Sequence, residues 1–227
     1  IGKIMASRWA YEALAASQFT DNAYERLFYA YDRRRKTANW KKDLWVRELK
    51  ERSAEVRRTV DGRKDGSHDM AGDLALVRHE MAKQVRDLKG LEFPRMAQLA
   101  PGAVSDSVLD DLDQTLETLT AHYRAVYRDA ERDKEALIEK MTATPALRTK
   151  YFALLDGSRN ESLSDFVTNK NDVNLIVESN GELVQKSDPV YLRPTEGGFF
   201  DAQFYAPVKR LFGTDIPTLW ANIMLIW

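Results

Sequence analysis

The sequence predicts a mainly α-helical protein in which a long antiparallel helical bundle, or coiled hairpin, is inserted in a small α+β base that carries one β-hairpin. Three observations lead to this prediction. A seam of apolar residues at alternating spacings of three and four runs from Leu109 to Leu137, and amphipathic helical patterns precede it. The dipeptide Asn180-Gly181 then lies between two short segments with the composition of strands, which is a strong hairpin signal.

Composition limits the class of protein. The 227 residues are 44% hydrophobic and 30% charged, which is typical of a globular chain with a sizeable core. The formal net charge is -1, so the chain as a whole has no electrostatic attraction for nucleic acid, and we expect no nucleic-acid partner. There is no cysteine, which excludes disulfides, thiolate zinc sites and a cysteine nucleophile but leaves the compartment open.

The first elements are expected to be two helices. Arg8 and Glu12 are predicted to lie away from one apolar helical face, which consists of Ile4, Met5, Trp9, Ala13, Leu14 and the alanines between them. Such a helix suits either a membrane surface, with an indole ring at the depth of the headgroups, or the interior of a protein. Asn22, with Glu25 three residues later, predicts the start of the second helix.

One concentrated basic run follows, Arg33-Arg34-Arg35-Lys36. Two interpretations stay open. Near a membrane these four side chains are candidates for binding anionic lipid headgroups, at about 1 kcal/mol for each basic residue close to the surface. The more common role of such a run is a solvated helix end whose charges complement the helix dipole.

The bundle is predicted from three amphipathic stretches. The first has apolar residues at helical spacing: Trp45, Leu49, Val56 and Val60. The second runs from Met70 to Leu88, and the third and longest is expected to begin near Ser105 or Ser107. The seam of this third helix consists of Leu109, Leu112, Leu116, Leu119, Tyr123, Val126, Ala130 and Leu137. Because a helix with one apolar face needs partners, we expect the two preceding helices to cover it.

The rest of the chain returns to the base. Short helices are expected at 146–155 and 161–168, and in the hairpin that follows Val177 should face Val184. These patterns divide the chain into helices of the base at 1–36, a helical bundle at 37–156, and the hairpin with the closing part of the base at 157–227.

The chain closes on an uncharged apolar run at 216–227, for which Asp215 is a suitable helix N-cap. A membrane span needs ~20 consecutive apolar residues, so the run matches either the first turns of a membrane helix or a buried terminal helix. Trp220 and Trp227 in this run, together with Trp9, are candidates for positions at a membrane interface.

No catalytic or metal motif is recognisable in the sequence. His79-Glu80 begins like the helix of a zinc protease, but Lys83 stands where the second histidine ligand is required. The acidic stretch with one histidine at 65–73 favours a hydrated polar turn over a weak divalent-ion site. Neither a Gly-x-Ser-x-Gly elbow nor a nucleotide-binding P-loop occurs. We therefore predict no catalytic residue, metal or cofactor within this chain.

Both ends of the chain resemble one family. Residues 5–15, Met-Ala-Ser-Arg-Trp-Ala-Tyr-Glu-Ala-Leu-Ala, with Gln18-Phe19 and Asp21-Asn22 after them, resemble the segment that follows the penultimate membrane helix in permeases of the White/ABCG type of ABC transporter. Residues 199–207, Phe-Phe-Asp-Ala-Gln-Phe-Tyr-Ala-Pro, and 216–220, Ile-Pro-Thr-Leu-Trp, are similar to the end of the same loop in bacterial members with large loops.

The resemblance implies a periplasmic domain of a bacterial inner-membrane transporter, between its last two membrane helices, with the base next to the membrane. Its role would be non-catalytic, at an outer gate or in docking a periplasmic partner. Its other partners would be the membrane helices of the same protein and a second transporter copy, while ATP and magnesium would serve a domain outside this chain. The residues leave two alternatives open: a soluble coiled-coil adaptor with a buried terminal run, and an enzyme with an unrecognised carboxylate site.

Overall fold

A computed structural model describes residues 6–62, 69–192, 209–211 and 214–216. Over these ranges the protein is mainly α-helical and contains the expected antiparallel β-hairpin, so the predicted fold class is confirmed. The chain forms two compact units. Unit 1 consists of Ile1–Thr37, Val126–Val173 and Lys186–Trp227, and unit 2 consists of Ala38–Ala125 and Asn174–Gln185.

Seven α-helices lie in the described part of the chain: α1 (Ala6–Thr20), α2 (Glu25–Trp40), α3 (Val46–Val60), α4 (Met70–Asp87), α5 (Asp106–Thr142), α6 (Pro145–Ser158) and α7 (Glu161–Val167). Their ends follow ordinary capping chemistry. The side-chain oxygen of Asn22 accepts hydrogen bonds from the backbone N–H groups of Tyr24 and Glu25, at 2.8 and 3.3 Å, as the sequence predicted for the start of α2.

A π-helical turn, Lys41–Trp45, joins α2 to α3 without a break in the helical backbone. The backbone N–H of Val46 donates to the carbonyl oxygen of Lys41, which is the five-residue spacing of a π-turn. The extra residue sets the face of α3, which buries Val46, Leu49 and Val56. The prediction that Val60 continues this face is wrong, because its side chain is exposed at the end of the helix.

Helix α5 confirms the predicted apolar seam from Leu109 to Tyr123, whereas Val126 and Leu137, in unit 1, are only partly buried. Its leucines in unit 2 are buried: Leu109, Leu112, Leu116 and Leu119. Polar pairs join α3 to α5 beside this seam, and the hydroxyl of Ser53 lies 3.1 Å from the carboxyl of Asp113 while Arg57 lies 2.9 Å from that of Asp110. These four leucines therefore belong to the core of unit 2, as expected of a helix with one apolar face.

The hairpin pairs β1 (Ile176–Ser179) with β2 (Glu182–Gln185), and Val177 faces Val184 as predicted. Asn180 and Gly181 both have positive φ angles, 54° and 74°, which a two-residue turn of this handedness requires. The hairpin belongs to unit 2, whereas the sequence grouped it with the closing part of the base.

A second, shorter antiparallel pair was not predicted. It joins β3 (Lys209–Leu211) to β4 (Thr214–Ile216), with Arg210 facing Asp215. Asp215, expected to cap a helix, thus lies in a strand. The remainder of the closing apolar run and the segment 199–207 lie outside the described residues. Within the described ranges, no helix combines the length and apolar character that a membrane crossing requires.

The core of unit 1 brings α1 together with α7 and with the short turn Pro189–Tyr191. Its buried members are Ala15, Ala16, Phe19, Val167, Val190 and Tyr191. This packing corrects the predicted face of α1. Glu12, placed by the sequence away from the apolar face, is only 5% exposed, whereas Leu14 is 66% exposed. The reason is that α1 packs through its small residues, which let it approach its neighbours closely.

Candidate functional site

The basic run at 33–36 lies within α2, in unit 1. Three of its four side chains form ion pairs with acidic residues of the same unit. Arg34 lies 3.0 Å from Asp133, Arg35 lies 3.1 Å from Asp32, and Lys36 lies 3.1 Å from Asp188. The interpretation of the run as a helix end is wrong, because the helical backbone continues past it to Trp40 and through the π-turn. Its assignment to lipid headgroups stays a prediction.

At the centre of this charged region lies Asp32, whose side chain is buried. Lys134 on α5 approaches both of its carboxyl oxygens, at 2.8 and 2.7 Å, and Arg35 approaches one of them. The ammonium of Lys134 also lies 5.1 Å from the centre of the Phe28 ring. Sequence reasoning missed this pair, because its two members lie 102 residues apart in the chain.

Two other acidic groups of unit 1, Glu25 and Asp188, have raised pKa values because they are withdrawn from water. Burial raises the pKa of Glu25, and the neighbouring negative charge of Asp32 raises it further. Burial also raises the pKa of Asp188, which Lys36 partly offsets. In this region of unit 1 the buried carboxyl groups of Glu25 and Asp32 and the partly buried one of Asp188 therefore lie among the cations Lys134, Arg35 and Lys36. This arrangement stabilises a fold, and we assign no reaction to it.

The three tryptophans predicted for a membrane interface lie largely beyond what the structure describes. Trp9 is in α1, but its side chain is outside the described part, as are Trp220 and Trp227. The tyrosines near the start of the chain have aromatic neighbours. Tyr24 packs on Phe28 and Tyr151, at ring distances of 4.9 and 6.2 Å, and Tyr11 lies against Phe166 at 5.8 Å.

Unit 2 has a buried polar node at the π-turn. The indole N–H of Trp45 donates to one carboxyl oxygen of Glu80 at 2.7 Å, and the backbone N–H of Leu183 donates to the other at 2.8 Å. Both Trp45 and Glu80 are buried. Glu80 thus connects the π-turn, α4 and strand β2, and its two buried donors explain why a carboxyl group is tolerated there. The sequence drew attention to Glu80 only as part of a failed zinc motif.

Lys41, the first residue of the π-turn, lies beside this node. Its ammonium is 3.8 Å from the centre of the Trp45 ring and 5.7 Å from that of Trp40. Burial lowers the pKa of Lys41 to about 8, although the carboxyl of Glu80 acts in the opposite direction. The indole faces favour the charged ammonium as well, and so offset part of the cost of its burial.

We expect stability to rise with pH because of Lys41. The unfolded chain keeps the ordinary lysine pKa of 10.5, so between pH 8 and 10.5 it binds more protons than the folded chain. The free energy of unfolding should therefore increase across that interval, by about 1–3 kcal/mol. Urea titrations of wild type and Lys41→Met at pH 7.5 and 10 measure this increase, which the variant should lose. Lys50→Met, at a lysine of α3 whose side chain is 34% exposed, should retain the increase. An unchanged increase in Lys41→Met would contradict the assignment.

The predicted polar stretch at 65–73 is described only in part. Asp69 caps α4, accepting from the backbone N–H of Gly72 at 2.9 Å, and Asp73 pairs with Arg52 at 2.7 Å. His79 lies 3.1 Å from a carboxyl oxygen of Glu182, in a solvent-exposed pair. Among the described residues, no group of three or more histidine, aspartate or glutamate side chains is placed to hold a metal ion.

An open groove of about 500 Å³ lies in unit 2 between the segment 90–95 and the exposed side of α5. Arg95 in this groove pairs with Asp111 at 2.9 Å and donates to the hydroxyl of Ser107 at 2.9 Å. The hydroxyl of Thr115 donates to a carbonyl oxygen of its own helix. These polar groups are satisfied within the chain, so they point to no particular ligand.

Comparisons with protein-family models, with curated proteins and with solved structures found no match to this chain. The fold and the charged groups alone therefore describe the class of protein: it is mainly helical, has two compact units, and contains a buried ion pair in unit 1 and a buried polar node in unit 2.

Proposed function

We propose that this chain is the extracytoplasmic domain joining the last two membrane helices of a bacterial ABC transporter that resembles the White/ABCG type. Its role in this proposal is non-catalytic, as part of an outer gate or as a docking site for a periplasmic partner. The observation that carries the proposal is the core of unit 1, where α1 packs against the turn Pro189–Tyr191.

This contact joins the neighbours of both resembling segments. Helix α1 contains most of the first segment, and the turn lies eight residues before the second, at 199–207. Phe19 of α1 and Tyr191 of the turn have ring centres 5.9 Å apart, and the hydroxyl of Tyr29 donates to the carbonyl oxygen of Val190 at 2.7 Å. A domain inserted between two membrane helices must return its chain to the membrane face that it left. A shared core of its first and last parts supports such a return.

Unit 2 is the inserted part in this proposal. The chain passes from unit 1 into unit 2 after Thr37 and returns to unit 1 at Val126. It passes into unit 2 again after Val173, forms the hairpin there, and returns at Lys186. We assign partner docking to unit 2 because its own core and its polar node, which joins the hairpin to α4, make it a preformed scaffold. ATP and magnesium would act in a nucleotide-binding domain of the same transporter, outside this chain.

Labelling of a single cysteine tests the location. The chain has no cysteine, so Val173→Cys adds one at a side chain that is 92% exposed. In the gene product that contains this chain, produced in its host with the outer membrane permeabilised, a membrane-impermeant maleimide should label Val173→Cys before the cells are lysed. The same protein without the substitution provides the background.

Val167→Cys is the matched control, because this valine lies six residues earlier and is 0% exposed. It should react only after denaturation. Labelling of Val173→Cys only after lysis would place the chain inside the cell, which contradicts the proposal and favours the adaptor alternative.

A further inference from the structure

One side of the open groove in unit 2 is a stretch of backbone, at residues 91–93, that is neither helix nor strand. Pro94 follows this stretch and restricts the backbone of Phe93 to extended conformations. The side chain of Phe93 is buried, and its carbonyl oxygen accepts a hydrogen bond from the backbone N–H of Met96 at 3.2 Å. The stretch is therefore fixed in place before any partner binds, which lowers the entropic cost of binding.

The backbone groups in the middle of this stretch are unpaired. Within the described part of the chain, nothing bonds to the carbonyl oxygen of Leu91, to the N–H or carbonyl oxygen of Glu92, or to the N–H of Phe93. In an extended chain the N–H and the carbonyl group of one residue point the same way, so each side of the stretch offers one donor and one acceptor. Such an unpaired edge is a template on which another extended chain can pair.

The other side of the groove is formed by α5, and its lining residues beyond Asp111 are uncharged and polar: Gln114, Thr115 and Thr118. The hydroxyl groups of Thr115 and Thr118 donate to carbonyl oxygens of their own helix, at 2.7 and 3.1 Å. Their oxygen atoms can still accept a hydrogen bond from a bound molecule. This side therefore suits polar side chains that carry a donor.

Charge contributes little to selection in this groove. Its charged lining residues are Glu92, Arg95 and Asp111, and Arg95 pairs with Asp111 at 2.9 Å. Glu92 is exposed, and so is Lys89, which lies three residues earlier and carries the opposite charge. A partner is therefore selected by its hydrogen-bonding groups rather than by its net charge.

We infer that this groove binds an extended segment of a partner protein, which pairs its main chain with residues 91–93 and turns polar side chains toward Thr115 and Thr118. The volume of about 500 Å³ is that of a ligand pocket, but the groove is open, which suits a chain passing through it better than an enclosed small molecule. The inference deepens the docking role of unit 2, and it rests on the proposed function for its periplasmic setting.

Binding of short peptides tests this inference. The probes are three fluorescent heptapeptides with blocked ends, in which threonine alternates with glutamine, lysine or valine. They are titrated with the purified gene product that contains this chain, and fluorescence anisotropy measures binding. When the tightest binder is present, hydrogen exchange should slow at residues 91–93, because the N–H groups of Glu92 and Phe93 are the open donors.

N-methylation of the tightest probe shows whether its main chain is recognised. Methyl groups on one alternating set of its N–H groups should weaken binding about tenfold, as expected for the loss of one or two hydrogen bonds. Methyl groups on the other set, which points away from the groove, should leave the affinity nearly unchanged.

A pair of variants shows whether the groove is the site. Thr118→Arg adds a long side chain at an exposed lining position, and should weaken binding about tenfold or more. Ala121→Arg is the matched control, because Ala121 is also exposed on α5 but does not line the groove. It adds the same side chain and charge, and should bind like the wild type.

Several results would overturn the inference. Main-chain pairing needs no particular side chain, so failure of all three probes to bind at about 1 mM is one of them. Equal effects of the two N-methylated peptides, or of Thr118→Arg and Ala121→Arg, are others. Slower exchange at 176–179 instead of 91–93 would assign the peptide to the hairpin. The proposed function fails separately: maleimide labelling only after lysis would refute the periplasmic location and leave these binding results unchanged.

Discussion

Replacing Asp32 by alanine should lower the free energy of unfolding by about 3 kcal/mol. This loss is at the lower end of the range measured when one partner of a buried ion pair is removed. Lys134 would lose the carboxyl group that it contacts at 2.8 and 2.7 Å, and Arg35 would lose its partner at 3.1 Å. Phe28 leaves the Lys134 ammonium in partly apolar surroundings, so water replaces the lost carboxyl group incompletely. Urea denaturation followed by circular dichroism measures the loss, and hydrogen exchange should show it in unit 1.

Asp133→Ala is the matched control for Asp32→Ala, because Asp133 also pairs with an arginine of the basic run but its side chain is 39% exposed. Its loss should cost less than about 1 kcal/mol. The two variants should also differ in the titration of Glu25. Burial and then the charge of Asp32 raise the pKa of that carboxyl, so Asp32→Ala should lower it toward its ordinary value. Equal losses of stability in the two variants would contradict the central role of Asp32.

Replacing Glu80 by alanine should cost a similar amount, about 3 kcal/mol, for a different reason. The change leaves two buried donors without an acceptor, the indole N–H of Trp45 and the backbone N–H of Leu183, at about 1–3 kcal/mol each. Because Leu183 lies in β2, the hairpin should loosen more than the helices. Hydrogen exchange of the peptide 176–185 should therefore accelerate, and the indole N–H resonance of Trp45 should shift.

Glu182→Ala is the control for Glu80→Ala, since Glu182 is an acidic residue of the hairpin itself. Its carboxyl group meets His79 and Lys83 at 3.1 and 3.3 Å, but it is 37% exposed and its loss should cost less than about 1 kcal/mol. If Glu182→Ala loosens the hairpin as much as Glu80→Ala, the buried node is not what holds the hairpin to α4.

Local patterns predicted the helices and the first hairpin of this protein, but not the pair of β3 with β4. The start of α4 at Met70 follows from amphipathic spacing, and the start of α5 at Asp106 follows from such spacing and a capping serine; both signals act within one or two helical turns. The hairpin register follows from Asn180-Gly181, because the turn type decides which residues face each other. The π-turn at Lys41–Trp45 left no such signal, since a single extra residue alters the helical period only where tertiary packing favours it.

The charged residues show the limit of local reasoning. Asp32 pairs with Lys134 and Glu80 binds the backbone of Leu183, and each pair joins positions about a hundred residues apart in the chain. Nothing in the neighbourhood of either acid distinguishes it from a solvated side chain. The basic run likewise reads as a continuous positive patch, although most of its charges are balanced by acids that fold against it.

The amino-acid sequence by itself determined where the helices and the hairpin lie, and its two end segments are the origin of the proposed transporter role. Only the tertiary structure decided which side of α1 is buried, since it covered Glu12 and exposed Leu14, and only it placed the hairpin on α4 in unit 2. The physical reason is that periodicity identifies an apolar face, whereas burial depends on the small residues and distant hydrogen-bond partners that let two elements approach.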